Sequence, residues 1–323
     1  MTEGLPAGHG VDRPVRVGWL GAAVGATGIL TVAWACLTEW GGVLHGHPAY
    51  AAALGLTVVV SALALARTLR RRARRGGWRA AARIALALLG LGGIAFLAWA
   101  RPHTAVEPAL TAMQTDHAVV VTESATRIVL APAAGGDALG VLFQPGALVD
   151  PRAYAAVLRP LAEAGHTVVI AKQPFGIAFL ATGALEDART AFPGIHGWVV
   201  AGHSLGGTVA ALEADAADED PVAPAIGLLL YASYPAGDIS GSLKAPAMSI
   251  SGSRDGLATP ERITASKIDL PPGTEFVRID GASHAQFGAY GAQSGDNSPQ
   301  ISNEDARVQI SQASLRFVTN LQP

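Results

Sequence analysis

The chain has 323 residues, half of them hydrophobic and 15% charged, with a formal net charge of −2. Soluble domains carry more charge, roughly a quarter of residues, so this composition points away from a wholly soluble chain, and its near-neutral balance gives no electrostatic footprint for nucleic acid. One cysteine, Cys36, excludes an internal disulfide and a Cys-based zinc cluster.

The charges are unevenly placed, and the first hundred residues read as membrane. Three runs lack charge, at about 17–38, 48–66 and 84–100. A bilayer core of roughly 30 Å needs about 20 apolar residues in a helix. The first two runs meet that length. The third meets it by extending back to Ala81 if Arg83 snorkels to the headgroups. Trp19, Trp34, Trp40, Trp78 and Trp99 lie near the run ends, as interfacial anchors do. Buried core helices are the alternative, but none of the three runs shows an amphipathic face. Ala33-Trp34-Ala35 before Cys36 resembles a signal-cleavage site. The run is longer than a signal core, however, and two further spans follow it.

Arginine sets the expected orientation. The stretch Arg67 to Arg83 holds eight arginines and no acid, and Arg13 and Arg16 precede the first span. The connection EWGGVLHGHP between spans one and two has neither Lys nor Arg. The positive-inside bias then puts the N-terminus and the Arg67–Arg83 loop in the cytoplasm and everything after Ala100 outside. His45 and His47 in that outer connection could bind a metal, but they read as polar loop residues. No ionisable residue interrupts the spans, which argues against a transporter.

After Arg101-Pro102 short β-branched runs alternate with helical stretches, so a domain boundary is expected at about residue 103. Residues 104–323 then form an α/β domain with a mostly parallel, doubly wound sheet. Strands are expected at 118–122, 127–130, 139–143, 167–171, 198–201, 227–231, 247–251 and 275–279. Asp150 reads as an N-cap with Pro151 at N1, opening a helix that Gly165 ends. Further helices are expected at 177–190, from about 204 onward, and at 303–321 with Ser302 as cap.

The strand Trp198-Val199-Val200-Ala201 runs directly into Gly202-His203-Ser204-Leu205-Gly206. This G-x-S-x-G pattern suits a sharp strand-to-helix turn that projects a serine. Gly202 and Gly206 leave room for the turn, and Gly207 lets the helix pack close. An acid and a histidine should follow in that order, each after its own strand. Asp255 follows AMSIS and His284 follows EFVRI. Asp280 and Asp238 are weaker candidates for the acid. In this reading Ser204 is the nucleophile, His284 the general base, and Asp255 the group that orients the imidazole. The oxyanion donors would be the backbone N–H groups of Leu205 and Ala147. The alternative for Pro145-Gly146 is an ordinary type II turn. Gln286 and Phe287 would line the pocket or support the loop after His284.

These residues resemble the α/β-hydrolase superfamily, and within it the compact dienelactone-hydrolase-like group without a large cap. The specific parts are AGHSLGG, SGSRDG and SHAQFGAYGAQSGD, and the likeness covers Thr122 to Leu321. Two departures stand out. Pro145-Gly146 occupies the place where many members carry His-Gly, and a serine stands where some dienelactone hydrolases carry cysteine. The resemblance implies a hydrolase with no cofactor and no metal, acting on a small-molecule or lipid-like ester beside membrane lipid. The expected function is therefore a membrane-anchored serine hydrolase for carboxylic esters. An acyltransferase to an envelope lipid or sugar and a non-catalytic sensor or scaffold are the alternatives.

Overall fold

The computed structural model describes residues 18–70 and 77–321. Arg13, Arg16 and the Arg71–Arg75 part of the basic stretch lie outside the described residues. Three long helices come first: α1 (Gly18–His45), α2 (Pro48–Arg70) and α3 (Gly77–Trp99). Each is long and apolar enough to cross a membrane by length and composition. The chain divides into two compact units. One comprises Met1–Trp34 with Ala53–Trp99, and the other Ala35–Ala52 with Ala100–Pro323.

In the first unit the helices meet through small residues. A Cβ on Gly25 would stand 2.9 Å from the Ser61 carbonyl, and one on Gly28 would strike the Ser61 hydroxyl. Such close backbone approach lets small residues supply the packing between helices. Leu30, Leu63, Leu86 and Leu89 stay exposed on the outer faces.

The second unit contains the sheet. Its strands are β1 (Val119–Glu123), β2 (Arg127–Pro132), β3 (Leu139–Gln144), β4 (Thr167–Ala171), β5 (Gly197–His203), β6 (Ala225–Tyr231), β7 (Ala247–Gly252) and β8 (Glu275–Ile279). They lie in the order β1-β2-β4-β3-β5-β6-β7-β8. β2 pairs antiparallel with β1 and β4, and every other pairing is parallel. Six helices accompany it: α4 (Ala109–Ala112), α5 (Ala155–Glu163), α6 (Ala184–Ala191), α7 (Leu205–Ala217), α8 (Pro260–Ala265) and α9 (Asn303–Thr319).

Side chains alternate across the strands. Val141, Phe143, Val199, Ala201, Leu229 and Tyr231 face one core with α5 and α9. Leu142, Val200, Leu228 and Leu230 face the other with α6 and α7. Helices therefore cover both faces, which is why the central strands read as unbroken apolar runs. The connection from β6 to β7 is residues 232–246, too short to form a separate cap.

Three expectations change. Helix α1 does not stop at Thr38: it continues to His45 and departs from helical geometry at Glu39. The Glu39 carboxylate accepts from Arg101 Nη1 at 2.7 Å and from the Thr104 N–H at 3.0 Å. These bonds bind Glu39 to the start of the chain that leads into the sheet, within the second unit. The helix expected at 177–190 is broken into a 3-10 turn at Ala178–Leu180 and the short α6. Gly183 starts α6, and the Ala181 carbonyl accepts from Gln144 Nε2 at 3.0 Å as well as from the Ala184 N–H at 3.1 Å, in a turn rather than a helical i to i+4 bond. The basic stretch is not all loop, since α2 reaches Arg70 and α3 begins at Gly77.

Candidate active site

The register of the sheet brings the site together. Gln144 at the end of β3 pairs with Gly202 of β5, so the loop after β3 lies beside Ser204. Gly252 of β7 pairs with Ile279 of β8, so the loops carrying Asp255 and His284 leave the sheet side by side. All four loops leave carboxyl ends of parallel strands, where open α/β sheets form their crevices.

Ser204 sits between β5 and α7 at φ 52°, ψ −125°. A non-glycine residue at positive φ is strained, and such strain gathers at functional turns. Its neighbours enforce the turn. A Cβ on Gly202 would stand 2.5 Å from the Gly206 carbonyl, and one on Gly206 would strike the Gln144 and Pro145 carbonyls. The Ser204 N–H donates to the Tyr231 carbonyl at 3.0 Å, and the Ser233 hydroxyl donates to the Ser204 carbonyl at 2.6 Å. The hydroxyl itself is in no hydrogen bond among the described residues.

Asp255 and His284 are 2% and 1% exposed. Asp255 Oδ1 accepts the N–H groups of Leu257 and Ala258, each at 2.8 Å. Its Oδ2 lies 2.8 Å from His284 Nδ1. An ionised carboxylate only accepts, so the imidazole proton sits on Nδ1 and Nε2 presents a lone pair. That Nε2 is buried and has no partner. The structure thus joins Asp255 to His284 but forms no hydrogen bond from Ser204 to His284. Asp280 instead pairs with Arg278 and Asp238 with Ser240, both at the surface.

The loop after β3 differs from a type II turn centred on Pro145-Gly146. The turn closes two residues later, with the Val149 N–H on the Gly146 carbonyl at 3.2 Å, and the positive φ of 60° falls on Leu148. The Gly146 N–H is taken by the Tyr154 hydroxyl at 2.9 Å, and the Leu148 N–H by the Gly176 carbonyl at 2.8 Å. Among the described residues, the N–H groups of Ala147 and Leu205 enter no hydrogen bond.

Gln286 and Phe287 serve the loop after His284. Gln286 Oε1 accepts the Ser283 N–H at 3.1 Å, and its Nε2 donates to the Ile301 carbonyl at 3.0 Å. Phe287 is fully buried and stacks on the His203 ring at 5.8 Å.

Sequence reading missed three supports. Asp296 accepts the Ala285 N–H and the Gly256 N–H, each at 2.9 Å, and so ties the histidine loop to the aspartate loop. Burial opposes ionisation of Asp296, but these N–H groups outweigh it and hold the carboxyl below its ordinary value. A buried network of Gln144, Gln173 and Glu213 joins β3, β4 and α7, with Gln173 Nε2 on the Pro145 carbonyl at 3.0 Å. Burial raises the Glu213 carboxyl to about 7. His203, an unremarked position of the motif, lies with its ring 4.5 Å from that of His284. Burial, reinforced by His284, keeps His203 neutral. Only the Asp in the run SGD hinted at any of these.

No group of three or more His, Cys, Asp or Glu among the described residues is placed to hold a metal ion. His45 Nδ1 lies 3.0 Å from Glu123, and His47 Nδ1 accepts the Ala49 N–H.

Among solved structures, a dienelactone hydrolase from Anabaena variabilis is 15% identical with a TM-score of 0.47, covering 64% of this chain and all of its own. An α/β serine hydrolase without a lid from Xanthomonas campestris is 17% identical with a TM-score of 0.45, covering 65% of this chain and 99% of its own. A thermostable esterase from Pseudomonas putida is 18% identical with a TM-score of 0.45, covering 67% and 88%. No curated protein matches the chain. The family model described as "Alpha/beta hydrolase family" matches residues 140–308, from β3 into α9 and across every loop that builds the site. The chain belongs to the alpha/beta hydrolase family.

Proposed function

We propose that the protein is a membrane-anchored serine hydrolase acting on carboxylic esters, with its hydrolase domain outside the cytoplasm. The observation that carries the reading is the Asp255–His284 pair. It leaves a buried, unpartnered imidazole nitrogen in the loop cluster that also holds a serine on a strained strand-to-helix turn.

His284 Nε2 takes the Ser204 proton as Oγ bonds to the ester carbonyl carbon. The carbonyl oxygen gains the negative charge and is met by the N–H groups of Ala147 and Leu205. The carbon–oxygen bond to the alcohol then breaks, and His284 returns the proton to the leaving oxygen. Water repeats the sequence on the acyl-enzyme. Rotation of the unbonded Ser204 hydroxyl toward Nε2 accompanies substrate entry, since catalytic hydrogen bonds commonly tighten only in the complex.

A fluorophosphonate probe should label the wild type, and Ser204→Ala should abolish labelling. Equal labelling of both rejects the assignment. Free acid as the sole product with added alcohols or glycosides supports hydrolysis, whereas new esters would favour acyl transfer.

A further inference from the structure

One phenol stands between the loop after β3 and the serine turn. Tyr154 is fully buried at the start of α5, with its ring 4.7 Å from that of Phe143. Its oxygen accepts the Gly146 N–H at 2.9 Å and lies 2.8 Å from His203 Nδ1. Among the described residues the hydroxyl has no other acceptor, so its one hydrogen goes to Nδ1 and His203 carries its proton on Nε2. Both bonds of this hydroxyl thus end one residue from a reacting group: Gly146 precedes Ala147, and His203 precedes Ser204.

The contact is shaped for this purpose. A Cβ on Gly146 would stand 2.7 Å from His203 Nδ1 and 3.0 Å from the Tyr154 hydroxyl, so glycine alone lets the loop close on the pair. The His203 ring is held parallel to Phe287, at 8°, and against His284. A phenylalanine at 154 would keep the packing on Phe143 and lose only the two bonds.

We propose that Tyr154 and His203 are positioning residues. They form a hydrogen-bonded strut that sets the distance between the Ala147 N–H and the Ser204 hydroxyl. The inference rests on the serine-hydrolase reading. It predicts a defect confined to the step in which charge develops on the substrate oxygen, because the misplaced donor matters most there.

The test uses the full-length, detergent-solubilised protein and a short-chain p-nitrophenyl ester. Tyr154→Phe should lower kcat about tenfold, the scale of one neutral hydrogen bond, with KM changed by less than about twofold. Amide exchange over residues 144–149 should quicken. His203→Asn, whose amide oxygen can replace Nδ1 as acceptor, should keep a higher kcat than His203→Leu at a matched unfolding temperature. If Tyr154→Phe does not fold, the two His203 variants decide the matter alone. An active, labelled wild type with unchanged kcat in Tyr154→Phe, or with Asn and Leu equal at 203, overturns the strut while sparing Ser204. A wild type that neither labels nor turns over removes the serine-hydrolase reading, and the strut's catalytic role with it.

Discussion

Asp255 gives one carboxylate oxygen to two backbone N–H groups and the other to His284 Nδ1. The first pair holds the carboxylate still, and the second sets the tautomer that leaves Nε2 as acceptor. Asp255→Asn keeps the shape but can present an amide N–H to Nδ1, favouring the wrong tautomer. Steady-state kinetics should show kcat reduced about 10³- to 10⁴-fold, and a loss below tenfold would assign the orienting role elsewhere. Glu213 behaves differently. Burial raises its pKa to about 7, against an ordinary value of 4.5, although Gln144 Nε2 and the Leu185 N–H donate to it. The folded state therefore binds this proton more tightly than the unfolded chain. Its stabilisation is full below pH 4.5 and is lost as pH rises through 7, by up to about 3 kcal/mol. Denaturant unfolding across pH 4.5–8 should show that decline, and Glu213→Gln should flatten it. An identical slope in both proteins would rule Glu213 out as its source.

Among the elements, the join of β5 to α7 tolerates least change. Gly206 is the second residue of α7 and packs onto the carbonyls that end β3. Gly206→Ala must push α7 away from β3, and with it the Leu205 N–H. Overpacking of this kind costs about 1–3 kcal/mol. Thermal unfolding should fall accordingly, and fluorophosphonate labelling of the folded fraction should slow; unchanged labelling would mean that the turn absorbs the methyl group. The strands were legible in the sequence because helices cover both faces of the sheet, which leaves runs such as Thr167–Ala171 and Trp198–Ala201 apolar throughout. Residues 177–190 were not. Their helical pattern yields to Gly183 and to a side chain from β3 that bonds the Ala181 carbonyl, and the second effect has no local signature.

At the scale of the whole molecule, Arg67–Arg83 and the unbroken spans make a topological prediction. A reporter that works only outside the cytoplasm, fused after Pro323, should be active, and one fused within 71–76 should be silent. The opposite pattern would turn the protein round. The sequence by itself determined the three long apolar helices, the alternating α/β class and the candidate site residues Ser204, Asp255 and His284. Each of these depends on composition, periodicity or a short motif. Tertiary structure alone decided the kink at Glu39, the division of the chain that draws 35–52 into the sheet-bearing unit, the hydrogen bond that seats His284 Nδ1 on Asp255, and the supports from Tyr154, His203 and Asp296. Such partners lie 11 to 65 residues apart. They meet only when strand register and loop closure bring them together, and no local pattern records that meeting.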